Sequence, residues 1–159
     1  MLDSASDALL TRAFALAVEA RANGNHPFGA LLAVDGEIVA EALNLVNTTH
    51  DVTAHAETAL VRVLEREGRL PELRTGVVYA SCEPCPMCVG ALFWAGARQV
   101  VYGLSAARLN QLATAPGDEP FGFTITAPEI GRAAHQPMHF TGPQREDEAA
   151  EAHLGFWLP

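Results

Sequence analysis

The chain has no lysine: its ten basic residues are all arginine, set against nineteen acidic ones, for a formal net charge of −9. The arginines are scattered and form no basic stripe. Binding a nucleic-acid backbone draws much of its affinity from phosphate neutralisation. A large polyanion is therefore a poor partner, and a small uncharged molecule is favoured. Long apolar runs are also missing. No stretch approaches the ~20 residues of a membrane span. Met1-Leu2-Asp3-Ser4 lacks the basic region of a signal peptide. Cysteine is scarce, at three residues. With two of them committed to a metal (below), no disulfide framework is available, and a reducing cytoplasm is expected. Low-complexity segments and internal repeats are absent. What remains, 159 residues with 49% apolar content, is enough for one domain with a proper core, spanning 1–159.

Against this background two short segments stand out. His55-Ala56-Glu57 comes early and Pro84-Cys85-Pro86-Met87-Cys88 later. One imidazole and two thiolates are good zinc ligands. Three protein ligands leave the fourth tetrahedral position to water, as in catalytic rather than structural sites. Glu57 is not needed as a ligand, and a free carboxylate beside the metal can move protons. Together these form the H-x-E…P-C-x-x-C pattern of zinc-dependent deaminases. Each part alone is weak. A lone C-x-x-C also fits a redox pair or half of a structural zinc site. Cys82 has the spacing of a fourth ligand, but it reads better as a small buried residue ending a strand. Glu83 alone is a solvated charge or a support for a nearby loop.

The periodicity predicts a mixed sheet between helical layers. Ser4 and Asp7 resemble a capping pair for a helix over about 6–22, with Leu9, Leu10, Ala13, Phe14, Ala17 and Val18 on its buried face. Strands are expected over 29–34 and 37–43 around an Asp35-Gly36 hairpin turn. Residues 44–53 look like a loop. A helix opens at His55 and stops near Gly68. A buried strand over 76–81 leads into the cysteine turn. A helix follows to Gly96, then a strand over 99–103. A short helix is expected over 105–112. Three prolines and three glycines in 115–131 predict a long loop. A last strand over 137–140 and a helix over 144–154 precede the apolar tail 155–159. The segment 144–159 is expected to pack on or over the active site.

The residues around these motifs resemble the cytidine deaminase superfamily, and within it the bacterial guanine deaminase branch. The resemblance rests on Pro27-Phe28-Gly29-Ala30, on Asn44 with the stretch to Asp51, on Thr53 to Glu57, and on Ser81 to Ala91 with Phe93-Trp94-Ala95. It is specific from about Thr11 to Tyr102 and loose beyond. It implies a three-layer α/β/α fold with a mixed five-stranded sheet, one catalytic Zn²⁺ per chain and a homodimer. It implies hydrolytic deamination of a purine base, guanine to xanthine plus ammonia. Cytosine, guanosine, amino-triazine or pterin substrates and a tRNA adenosine deaminase are alternatives, as is a zinc-stabilised scaffold. Carried over by resemblance, His55, Cys85 and Cys88 bind zinc and Glu57 shuttles protons. Phe28, Asn44, Ala56 and Trp94 then contact substrate. Guanine deaminases add a loop carboxylate, for which Glu119 is preferred to Asp118. Relatives also close the site with C-terminal residues, in certain cases exchanged between subunits. Trp157 is the candidate here, and dimer packing of the tail reads equally well.

Overall fold

A computed structural model describes residues 3–158; Met1 and Leu2 of the N-terminal segment and Pro159 of the expected apolar tail lie outside the described residues. One five-stranded sheet organises the chain, in the order β2-β1-β3-β4-β5. The strands are β1 Gly29–Val34, β2 Glu37–Leu43, β3 Val77–Cys82, β4 Gln99–Leu104 and β5 His139–Thr141. β1 is antiparallel to both β2 and β3, whereas β3, β4 and β5 run parallel. The β1–β2 hairpin turns through Asp35 and Gly36, both at positive φ (50° and 82°). That pair of angles matches the right-handed twist of the flanking strands.

Helices cover both faces. α1 (Ser4–Ala22) and α7 (Glu146–Ala150) pack on one, against Leu31, Tyr79 and Val101. α3 (Ala56–Arg66), α4 (Pro86–Ala95) and α6 (Ala127–Ala133) pack on the other, against Leu32, Val78 and Val100. Consecutive strand residues thus serve opposite cores, so β1 and β3 read as continuous apolar runs rather than alternating ones. The expected three-layer α/β/α arrangement is what forms. α1 lies so close to the sheet that a Cβ on Gly29 would sit 2.3 Å from the Leu16 Cβ. Only glycine allows that approach.

Several local expectations need correction. The N-cap of α1 is Asp3, whose side chain accepts from the Ser6 N–H, and not the Ser4/Asp7 pair. Val18 is 54% exposed, while Leu16 and Ala20 fill the buried face. Val18 lies about 200° around the helix from Leu16. Residues 46–49 form a short helix, α2. The long loop is interrupted by α6, which begins in a capping box between Thr126 and Glu129. The three-residue spacing of that pair is a legible start signal that the surrounding Pro and Gly obscured. The C-terminal helix is shorter than expected. α7 ends at Ala150 and passes into a 3₁₀ turn, Glu151–His153.

Candidate active site

Both zinc-motif segments sit at helix starts, side by side at one end of the sheet. His55 is the N-cap of α3 and Cys85 the N-cap of α4; both are extended (ψ 161° and 165°), and neither side chain caps its own helix. Those side chains point instead at each other. The Cys85 and Cys88 sulfurs lie 3.7 and 3.6 Å from His55 Nδ1. Tetrahedral zinc with Zn–S ~2.3 Å and Zn–N ~2.0–2.1 Å requires an S···N separation of about 3.6 Å. All three ligand atoms fall within 4.8 Å of one another. The donor set therefore fits zinc in both chemistry and spacing. Cys82 is not part of it; it is a buried residue at the end of β3.

The three side chains polarise one another. A hydrogen bond from the Cys88 thiol pulls the Cys85 pKa down to about 4, against the opposing effect of burial; His55 adds to the same pull. The Cys88 thiol is pushed up by that same bond and by burial. His55 is raised chiefly by its contact with Cys85. Thiols must lose their protons to hold a metal, so metal binding at this triad would release protons. Glu57, in the first turn of α3, is 6% exposed. Burial, with a contribution from Cys85, raises its pKa. A carboxyl whose pKa is raised by burial is suited to take a proton and give it back.

A cavity of about 410 Å³ opens onto His55, Glu57 and Cys85. That is at the small end for ligand pockets. Aromatic rings share the lining: His26, Phe28, Phe121 and Trp157, with Leu109 from α5 (Ala106–Ala113). The structure thus brings Phe28 and Trp157 to the same space as Glu57 and two of the ligands. Asn44 does not line the cavity, yet it adjoins Phe28, whose carbonyl accepts from the Asn44 N–H at 3.0 Å. Asn44 is fully buried; its Oδ1 accepts from the Val46 N–H, and its Nδ2 has no partner. Ala56 is also fully buried, at the first position of α3.

Two expected contacts are not brought together. Trp94 is 86% exposed and lies outside the cavity. It stands two residues beyond the buried Leu92 on α4, and positions i and i+2 do not share a helix face. Asp118 and Glu119 are exposed and outside the lining as well, while Phe121 on the same loop enters it. Sequence reasoning had missed Phe121, His26 and Leu109. It also left the role of Glu83 open. Glu83 accepts from the Ala106 N–H at 3.0 Å and the Ala127 N–H at 2.8 Å. One carboxylate thereby ties the cysteine turn to the first residues of α5 and α6, on either side of the loop that carries Phe121. The negative charge also suits two helix N-termini.

Three candidate metal ligands, a buried carboxyl and a partly aromatic cavity are the equipment of a metal-assisted hydrolase. Comparison with known proteins narrows that class. Residues 3–104 match the model of the cytidine and deoxycytidylate deaminase zinc-binding region. A probable cytosine deaminase of Schizosaccharomyces pombe is 38% identical over 94% of this chain and 91% of its own. Guanine deaminase of Bacillus subtilis is 41% identical over 72% of each chain. A crystal structure of that species' guanine deaminase has a TM-score of 0.63 and 34% identity, covering 79% of this chain and 87% of its own. A chain solved in a study of A-to-I editing by tRNA:A34 deaminases has a TM-score of 0.73 and 27% identity, covering 92% of this chain and 99% of its own. The protein belongs to the cytidine deaminase superfamily and is a zinc-dependent deaminase.

Proposed function

We propose that the protein deaminates a free purine base, guanine to xanthine and ammonia. The observation that carries this reading is the pocket: a cavity lined by Phe28 and Trp157 opens onto Glu57 and two of the ligands, His55 and Cys85. His55, Cys85 and Cys88 hold the zinc. When bound there, zinc supplies a Lewis acid that lowers the pKa of a water from ~16 to ~7. Glu57 takes one proton from the attacking water and delivers it to ring N3. The C2–O bond forms; Glu57 then takes the remaining proton of the new C2 hydroxyl and passes it to the amine, and the C2–N bond breaks to release ammonia as the C2 carbonyl forms. Phe28 stacks on the ring. Asn44, buried beside Phe28 and outside the cavity lining, would have to be uncovered for its unpartnered Nδ2 to reach a ring acceptor. Ala56 contributes backbone alone, an N–H at the positive end of α3. A loop carboxylate, Glu119 or Asp118, would have to move into the pocket to assist, so the proton work is assigned to Glu57.

Cytosine is the second reading, favoured by the long match to the Schizosaccharomyces relative. The double proline around Cys85 and the Pro27-Phe28-Gly29 segment favour guanine. The net charge of −9 and the absence of lysine weigh against tRNA. Supporting a homodimer, Trp94 and Met87 are both exposed on α4, at 86% and 38%. Sedimentation of the zinc-loaded protein checks this. Three free thiols suit a reducing compartment such as the cytoplasm. The test of substrate is ammonia release by zinc-loaded protein from guanine, cytosine and adenine in parallel. Guanine is expected to be the preferred base. Turnover of cytosine with none of guanine would replace the first reading by the second.

A further inference from the structure

The last residues of the chain pass the pocket without any regular structure to hold them there. Beyond the 3₁₀ turn at Glu151–His153 no strand or helix follows among the described residues. Side chains take over that task. Arg21, in the last turn of α1, donates from Nη1 to the carbonyls of Ala152 and Leu154, both at 2.9 Å. Its guanidinium also stands 5.6 Å from the centre of the Phe156 ring. His153 is 1% exposed. Its Nδ1 accepts from the Trp157 indole N–H at 3.1 Å, and the two rings are nearly parallel, at 12°. Phe28 meets His153 edge-on at 5.2 Å. Phe156 meets Trp157 in the same way at 4.9 Å.

We infer that Arg21 and His153 are positioning residues that latch the tail onto its own chain's pocket, so that Trp157 forms a wall that admits a free base and rejects its nucleoside. The inference rests on the reading that the substrate is a heterocyclic amine. In such rings the carbon losing its amine faces the metal ligands. A nucleoside carries on one ring nitrogen (N9 of guanine, N1 of cytosine) a ribose that the free base lacks, and the cavity must leave room for it if the nucleoside is to enter. Trp157 and Phe121 both line this cavity, 6.3 Å apart between ring centres, so the room left beside a bound base is set by these two rings. A tryptophan fixed by an indole hydrogen bond and ring stacking cannot swing aside as a free tail residue would. Neutral His153 is the form that accepts at Nδ1. Burial, with Arg21's charge adding, keeps it so by lowering its pKa to about 4.

The test compares wild type with Arg21→Met, His153→Leu and His153→Asn, each loaded with zinc. kcat and KM are measured for a base and for its nucleoside. Arg21→Met and His153→Leu should raise the nucleoside-to-base ratio of kcat/KM by about tenfold, a discrimination typical of an apolar pocket wall. The change should fall on KM for the base more than on kcat. Asn places an oxygen where His places Nδ1, so His153→Asn should restore the ratio. In a Trp94→Phe background Trp157 is the one tryptophan left. Its emission should shift to the red in Arg21→Met and His153→Leu and stay put in His153→Asn. A red shift with an unchanged substrate ratio would overturn the wall. An unshifted emission in both disruptive variants would overturn the latch. If wild type prefers another base to guanine, the ratio is taken with that base; the guanine reading then fails while the latch is still judged. If no base is turned over, equilibrium dialysis of guanine against guanosine judges the wall by the same ratio.

Discussion

His55, Glu57 and Cys85 reach the pocket from the first turns of two helices backed by the sheet, whereas Phe121 and Trp157 reach it from a loop and a tail with no regular structure. The first set is held by packing on both sides. Ala56, Leu60, Val89 and Leu92 behind it are at most 1% exposed. The second set is held by a few hydrogen bonds: the Glu83 carboxylate at the helix starts beside the loop, Arg21 and His153 at the tail. The family match ends at residue 104, before either Phe121 or Trp157. Rigid placement suits the end where a proton must travel a fixed short distance. A wall tied down by separable contacts suits the end where members of one superfamily differ in what they admit.

Four experiments would break or sharpen this contrast. The largest effect is expected for Glu57→Gln. It should bind one zinc per chain and lose about a thousandfold or more in kcat, within the range for a general acid–base. Metal analysis and ammonia release check it together, and near-normal turnover would remove Glu57 from its role. Next, Gly103→Ala probes how tightly the sheet supports the site. A Cβ there would lie 2.3 Å from the Phe14 ring and 2.7 Å from the Ser81 carbonyl oxygen. A loss of at least about 1–3 kcal/mol is expected for such overpacking. Thermal unfolding should show it as a clear fall in Tm.

The third concerns acid. His153 has its pKa lowered from the ordinary 6.5 to about 4, first by burial and then by Arg21; His26, across Trp157, is also lowered. A lowered folded value means the released tail binds more protons between those two pH values. The latch is therefore fully effective above pH 6.5 and weakens as pH falls toward 4. Wild type should lose about 1–3 kcal/mol more than His153→Asn over this window, by the same linkage. Tm measured for both proteins from pH 7 to 4.5 would reveal it, and parallel curves would contradict it. The smallest effect is expected for Glu119→Gln and Asp118→Asn. Both residues are exposed and outside the cavity. Surface changes of this kind leave stability within about 0.5 kcal/mol, and kcat should fall by less than about threefold. A loss beyond tenfold would mean that the loop brings a carboxylate to the reacting amine.

Much of the front of the molecule was legible because its residues have local reasons. Apolar runs marked β1, β3 and β4, Asp35-Gly36 marked the hairpin, and Gly68 and Gly96 lie just beyond the two motif helices. Both of those glycines adopt positive φ. The ligands were legible because zinc restricts residue type and spacing. The aromatic wall was harder to read. A lone Phe121 in a Gly- and Pro-rich stretch has no periodicity to announce it. His153 and Arg21 lie 132 positions apart, and their joint role appears only when the tail folds back on α1. Trp94 misled because its identity fits a pocket while its helix phase points outward.

The contrast itself is tested most directly by measuring kcat/KM of Glu57→Gln and Trp157→Ala side by side, each on guanine and on guanosine. Glu57→Gln should depress both substrates alike and leave their ratio as in wild type. Trp157→Ala should shift the ratio toward guanosine by about tenfold. A changed ratio in the first variant, or an equal loss on both substrates in the second, would contradict the separation of chemistry from selection.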